Sequence, residues 1–204
     1  MVVEFKDFLL ISESPLSSDI GEIILAEIRK NISKKPIRFF AFSHHHPDYV
    51  GGMRPFIHQG ATVLCVPEDE EYINYLYKVP HSLKPDSLQL TSKPLDIKVI
   101  ADSMSITDGS YMLDVHHIGM QSGHTKDYCI FHFPKEKLLI EGDLVWIAKD
   151  EDLKKASAYQ SGLYHAIKDR GLNVETVIQT WGASSGKYKM IIPFTDLEKS
   201  ALME

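Results

Sequence analysis

The sequence predicts a single α/β domain over residues 1–204, with sheets covered on their outer sides by helices. Three observations predict it. The first half alternates strand-like and helix-like segments. The second half carries closely spaced strand-like runs with turn signals between them. No repeat and no linker interrupts the chain, and 204 residues suffice for one sizeable core.

Val2–Phe5 and Phe8–Ser12 read as short strands around a Lys-Asp turn. Ser17-Ser18-Asp19 caps a helix reaching about Asn31, where Ile20, Ile23, Ile24, Ala26 and Ile28 give a helical stripe. Ile37–Phe42 is a buried-strand pattern, Met53–Gln59 an apolar helix-like segment, and Ala61–Val66 another β-branched strand. Pro67 opens a helix through about Lys78, with acids in the first turn where the helix dipole favours them. Its Tyr72, Tyr75, Leu76 and Tyr77 sit at helical spacing and read as packing. Val79–Pro94, with three prolines, reads as a loop. Strands come next at Ile97–Ile100, Met104–Ile106, Tyr111–Ile118, Tyr128–Phe133 and Lys137–Ile140. Asp150–Arg170 is helical in composition, with Gly171 as its C-cap. Glu175–Gln179 and Lys189–Ile192 are further strands, and Asp196–Met203 a final helix.

Composition narrows the function. A net charge of -6 and the lack of a Lys/Arg block argue against nucleic acid or an anionic membrane as the main partner. No run approaches membrane-spanning length, and the charged first seven residues do not resemble a signal peptide. Cys65 and Cys129 lie inside apolar runs and read as buried thiols in a reducing compartment. The expected location is the cytoplasm and the expected partner a small-molecule substrate.

The chemistry-bearing residues gather where strands end. After Ile37–Phe42 come Ser43-His44-His45-His46-Pro47-Asp48-Tyr49-Val50-Gly51-Gly52. His44 and His46, two apart in extended backbone, share a face, and Asp48 lies two further on. Imidazole suits zinc and other late first-row divalent ions. The histidines alone leave a metal site and a solvated histidine-rich loop equally open. Tyr111–Ile118 leads toward Gly123-His124-Thr125, and Lys137–Ile140 leads into Glu141-Gly142-Asp143. His45 should point to the opposite face and is read as structural. Of His116 and His117, one is expected to face solvent and one the interior. His58, His81, His132 and His165 read as surface residues. Gly182–Lys187 is one residue too short for a phosphate-binding loop and lacks the following Ser/Thr. Neither a G-x-S-x-G elbow nor a G-x-G-x-x-G turn is present.

In order and spacing, these motifs resemble the metallo-β-lactamase superfamily. That family carries H-x-H-x-D-H after a strand, then Gly-His-Thr/Ser, then Gly-Asp after a strand, and a last His-Gly. Here His44-x-His46-x-Asp48-Tyr49, Gly123-His124-Thr125 and Gly142-Asp143 correspond, across roughly residues 37 to 182. The resemblance implies an αββα sandwich of two mixed sheets with helices outside. It also implies a metal site with His44, His46, His124 and Asp143 as ligands. Two departures bear on that site. Tyr49 and Trp181-Gly182 stand where the family has histidines of a second metal site. One zinc ion on three histidines with an open position is therefore expected, with the second site depleted. Asp48 is the expected catalytic base or water-orienting group. Trp181 is expected to fill the vacated space. Glu13-Ser14-Pro15-Leu16-Ser17 replaces the family's Asp-x-Gly segment, and N-terminal strands are expected to be missing or supplied by a homodimer partner. The implied activity is hydrolysis of a small ester, thioester, lactone or amide by a metal-bound hydroxide. The competing expectation is a non-catalytic member serving as a binding or scaffold domain; iron-based redox chemistry is a weaker third.

Overall fold

The computed structural model describes residues 1–181 and 186–203. Residues 182–185, including Gly182 of the Trp181-Gly182 pair, lie outside the described residues. The chain divides into two compact units, Met1–Ala101 and Asp102–Glu204, each built on its own sheet. The α/β architecture expected from the sequence, two mixed sheets with helices, is the one the chain adopts.

In the first unit, β1 (Val2–Glu4) and β2 (Leu9–Ser12) form an antiparallel hairpin, closed by Phe5 donating its N–H to the Phe8 carbonyl. α1 (Ser18–Asn31) then crosses over to β3 (Ile37–Ala41), which lies parallel to β2. α2 (Pro47–Val50) and α3 (Arg54–His58) lead to β4 (Thr62–Cys65), and α4 (Glu70–Lys78) comes after a short 3-10 turn at Pro67–Asp69. β5 (Ile97–Val99) completes the order β1-β2-β3-β4-β5. All four residues of β2 are buried, the pattern of a strand covered on both faces. Phe40 stacks on Phe56 with centroids 5.2 Å apart, both rings fully buried, which packs α3 beneath the strand that carries the histidines. Each such side chain contributes about 1.5–3 kcal/mol of hydrophobic stabilisation. The stretch read as a loop between residues 79 and 94 holds one further helical turn, α5 (Ser87–Leu90). It forms because the Asp86 carboxylate accepts the Gln89 N–H as an N-cap.

In the second unit the order is β11-β10-β9-β8-β7-β6: β6 (Ser103–Thr107), β7 (Met112–His117), β8 (Cys129–Phe133), β9 (Leu138–Glu141), β10 (Thr176–Gln179) and β11 (Ile191–Pro193). β9 and β10 are parallel and the other pairs antiparallel. α6 (Ala158–Asp169) supplies the crossover between β9 and β10 and packs with α7 (Phe194–Ala201). α6 is shorter than its composition suggests. Ser157 caps it by accepting the Gln160 N–H, and upstream the Ala156 N–H is held by the Ser200 carbonyl, so the charged residues 150–156 run without helix. Cys65 and Cys129 are both buried, as the sequence suggests. No helix among the described residues is long and apolar enough to cross a membrane.

Candidate metal centre

In the first unit, β3 delivers its chain straight into the histidine loop. Pro47 fixes the backbone on both sides of itself. A residue before proline is driven to extended backbone, and His46 sits at φ -60, ψ 143. Proline also suits the first position of a helix, so α2 starts there and the loop has no slack. His44 is fully buried; its Nδ1 lies 3.1 Å from Ser43 Oγ and its Nε2 2.9 Å from His46 Nδ1. Two nitrogens bound to one zinc ion at tetrahedral angles stand about 3.3 Å apart, so this pair is already close to the spacing of two ligands. Asp48 is half-buried in the first turn of α2. His45 turns edge-on to Tyr72 at 6.2 Å, in keeping with a structural role. Tyr49 is 3% exposed and its ring lies 4.4 Å from that of His44, within the core of this unit.

Glycines hold this loop against its neighbours. A Cβ on Gly21 of α1 would lie 2.3 Å from the Gly52 carbonyl oxygen, and one on Gly51 2.6 Å from the Leu16 carbonyl oxygen. α1 therefore touches the loop backbone to backbone. Glu13 and Leu16, in the segment preceding α1, adopt left-handed φ values of 68° and 64°. An apolar cleft of about 260 Å³ lies beside the loop, lined in part by Leu16, Pro47, Met53, Tyr72 and Leu76.

In the second unit, His124 comes after a 3-10 turn, Gly119–Ser122, and Gly123 at φ 70. Ser122 Oγ accepts the backbone N–H groups of His124 and Thr125, fixing the loop. His124 Nε2 lies 3.5 Å from Asp143 Oδ2, again close to ligand spacing, and Tyr159 covers the imidazole at 4.9 Å. Asp143 is positioned by residues that no sequence motif singles out. The buried Tyr128 hydroxyl accepts the Gly142 and Asp143 N–H groups, each at 3.0 Å, and stands 3.1 Å from Asp143 Oδ1 and 3.2 Å from Glu141 Oε2. Glu141, fully buried, accepts the Leu144 N–H at 2.7 Å. Only the tyrosine at the head of a strand pattern and the acid before Gly142 hinted at this arrangement.

Trp181 donates its backbone N–H to the Gly142 carbonyl, but the residue is 43% exposed. The expectation of a tryptophan filling a closed space is not met within its unit. His132, read as a surface residue, is instead 4% exposed. It sits on β8, where every residue is buried, so alternation could not reveal it.

Residues 15–181 match the model of the metallo-beta-lactamase superfamily, and the chain belongs to that family. Among characterised proteins it is 27% identical over 145 residues to a metallo-beta-lactamase type 2 of Elizabethkingia meningoseptica, covering 71% of this chain and 51% of that one. It is 38% identical over 56 residues to a linear primary-alkylsulfatase of a Pseudomonas strain, covering 28% and 10%. The chain thus spans at most about half the length of these relatives. Among solved structures it is similar to a metallo-beta-lactamase from Pontibacter korlensis, with TM-score 0.67 and 20% identity over 98% of this chain and 83% of that one. It is also similar to a Pseudomonas aeruginosa metallo-beta-lactamase in a mono-zinc form, with TM-score 0.65 and 19% identity over 98% and 80%. At those identities the likeness shows the fold.

Proposed function

We propose that this chain works as one domain, a metal-dependent hydrolase holding a single zinc ion on His44, His46 and His124, with Asp143 as an auxiliary ligand. The observation that carries the reading is the pair of preset spacings, 2.9 Å between His44 and His46 in one unit and 3.5 Å between His124 and Asp143 in the other. The donor set, three imidazoles and a carboxylate, suits zinc. A bound zinc ion supplies Lewis acidity and brings the pKa of water to about 7. Asp48, two residues from His46, takes a proton from the attacking water as general base. Tyr128 keeps the Asp143 carboxylate oriented, and the apolar cleft beside Pro47 receives an apolar substituent of the substrate. Small esters, thioesters, lactones and amides are the substrate class. A mono-zinc form in a protein of the same fold supports a single ion.

The test is elemental analysis of the purified chain with turnover on a panel of such substrates. The expected result is one zinc equivalent at this centre, with His46→Ala removing that equivalent and abolishing turnover. Turnover that survives His46→Ala removes the metal from the mechanism. Tyr49 favours a second reading, a non-catalytic binding or scaffold domain, because a buried ring packed on His44 occupies the motif position that serves a second metal in the family. A chain without turnover whose zinc content is the same with and without His46→Ala selects that reading. Self-association into a homodimer belongs to the main proposal and rests on β1 forming an edge of its sheet, where a further strand could pair. A monodisperse monomer in sedimentation removes it.

A further inference from the structure

We infer that the second unit carries its own binding site for a late first-row divalent cation, built from Asp114, His116 and His132 on neighbouring strands β7 and β8. The strand register brings them together. Asp114 pairs directly with His132, and His116 lies two residues along β7 from Asp114, so all three side chains stand on one face. The alternating neighbours Leu113 and Val115 are buried on the opposite face. One potential ligand atom from each of the three lies within 4.8 Å of the others.

Hydrogen bonding separates this cluster from a chance meeting of polar groups. His132 Nε2 lies 3.2 Å from the Asn173 carbonyl oxygen. A carbonyl can only accept, so Nε2 carries a proton, and in the neutral imidazole Nδ1 is the nitrogen with the lone pair. That Nδ1 is buried, and among the described residues it has no hydrogen-bond partner; neither has the buried His116 Nε2. Leaving two such buried atoms unsatisfied forfeits the hydrogen bonds they would make with water in the unfolded chain. A cation shared with the Asp114 carboxylate would satisfy both. The supporting groups match what metal sites use, a backbone carbonyl on the far nitrogen of one histidine and a hydroxyl, Ser105 Oγ, donating to Asp114 Oδ1. The Arg170 guanidinium acts against a cation here, though it is engaged by Asp102 and the His117 carbonyl. Two histidines and one carboxylate suit zinc, and the ion would pin β7 to β8 beneath the turn after α6.

The site is separable from the zinc centre of His44, His46 and His124. The experiment uses the full chain carrying His46→Ala and His124→Ala, stripped of metal and titrated with zinc by calorimetry. One equivalent is expected to bind, and adding His116→Gln is expected to abolish it. No binding in the double variant, or binding that His116→Gln leaves unchanged, overturns the inference. Should far-UV circular dichroism show that the His116→Gln chain does not fold, Asp114→Asn in the same background decides on the same terms. It should weaken zinc binding at least about tenfold, and an unchanged affinity overturns the site. Wild-type chain titrated in parallel shows whether the His44, His46 and His124 site adds its own equivalent, so failure of one reading is told from failure of the other.

Discussion

The two pairs of proposed ligands are held by opposite means. His44 and His46 are neighbours in sequence, placed by the strand ahead of them and the proline behind, and pressed into position by backbone contact with α1. His124 and Asp143 are nineteen residues apart by their numbers, and they meet because a buried hydroxyl and a buried carboxylate organise the end of β9. One pair depends on steric fit, the other on a polar network. Networks of this kind fail when one member is left unsatisfied, whereas fitted backbones fail when volume is added.

The largest expected effect tests whether the first unit has a polar anchor of its own. Arg54, at the start of α3, is 4% exposed and makes a two-pronged bridge to Asp86, Nε to Oδ2 at 2.6 Å and Nη2 to Oδ1 at 3.1 Å. It also donates to the Leu76 and Tyr77 carbonyls at the end of α4, while Ser18 of α1 donates to the same aspartate. Arg54→Ala should cost about 3–5 kcal/mol in urea unfolding, because a buried carboxylate loses its partner. A loss under about 1 kcal/mol, the scale of an exposed pair, would show that packing alone holds this unit.

The same bridge sets a pH dependence. Burial alone would push the Asp86 carboxyl up, but the Arg54 hydrogen bonds, the Gln89 N–H and Ser18 outweigh it and hold the group well below the usual carboxylate range. A depressed native pKa stabilises the fold above the unfolded value, about 3.9, and that stability is lost as pH falls below it toward the native value. Thermal melts at pH 3 and pH 6 should therefore differ more for wild type than for Asp86→Asn. Equal differences would remove Asp86 from the acid response.

Tyr128→Phe attacks the network of the second unit without adding volume. It leaves the Gly142 and Asp143 N–H groups short of an acceptor, at about 1–3 kcal/mol. It should also weaken zinc binding at the proposed centre about 10- to 100-fold, in the manner of other groups that orient a ligand. Unchanged affinity with reduced stability would confine the tyrosine to folding.

Gly21→Ala gives the smallest net change, because two effects oppose. Alanine gains about 1 kcal/mol in helix propensity, while overpacking against the Gly52 carbonyl costs about 1–3 kcal/mol. Net destabilisation is expected, with zinc affinity falling alongside. A more stable variant would show that α1 can withdraw from the loop.

This contrast also explains what the sequence could and could not disclose. The first pair was legible because its causes are local: a strand pattern, a proline and two glycines in ten residues. His124 and Asp143 were legible as motif residues, but the roles of Tyr128 and Glu141 depend on a strand end folding back on itself, which no spacing encodes. His132 escaped because β8 is buried on both faces, so a polar residue there leaves no periodic trace. The helix expected across 150–170 starts later because tertiary contacts at Ala156 and the Ser157 cap override the propensity of the charged residues before them. Asp86 gave no sign of being a cap because its loop lacks any repeating pattern.

The meeting of Gly21 with Gly52 makes α1 a lever. With no side chain between them to absorb displacement, an axial slide of the helix would press directly on the loop backbone at Gly52. Whatever grips the outer surface of that helix, an antibody fragment or a designed peptide, would therefore bear on the loop of the proposed metal centre from outside the cleft.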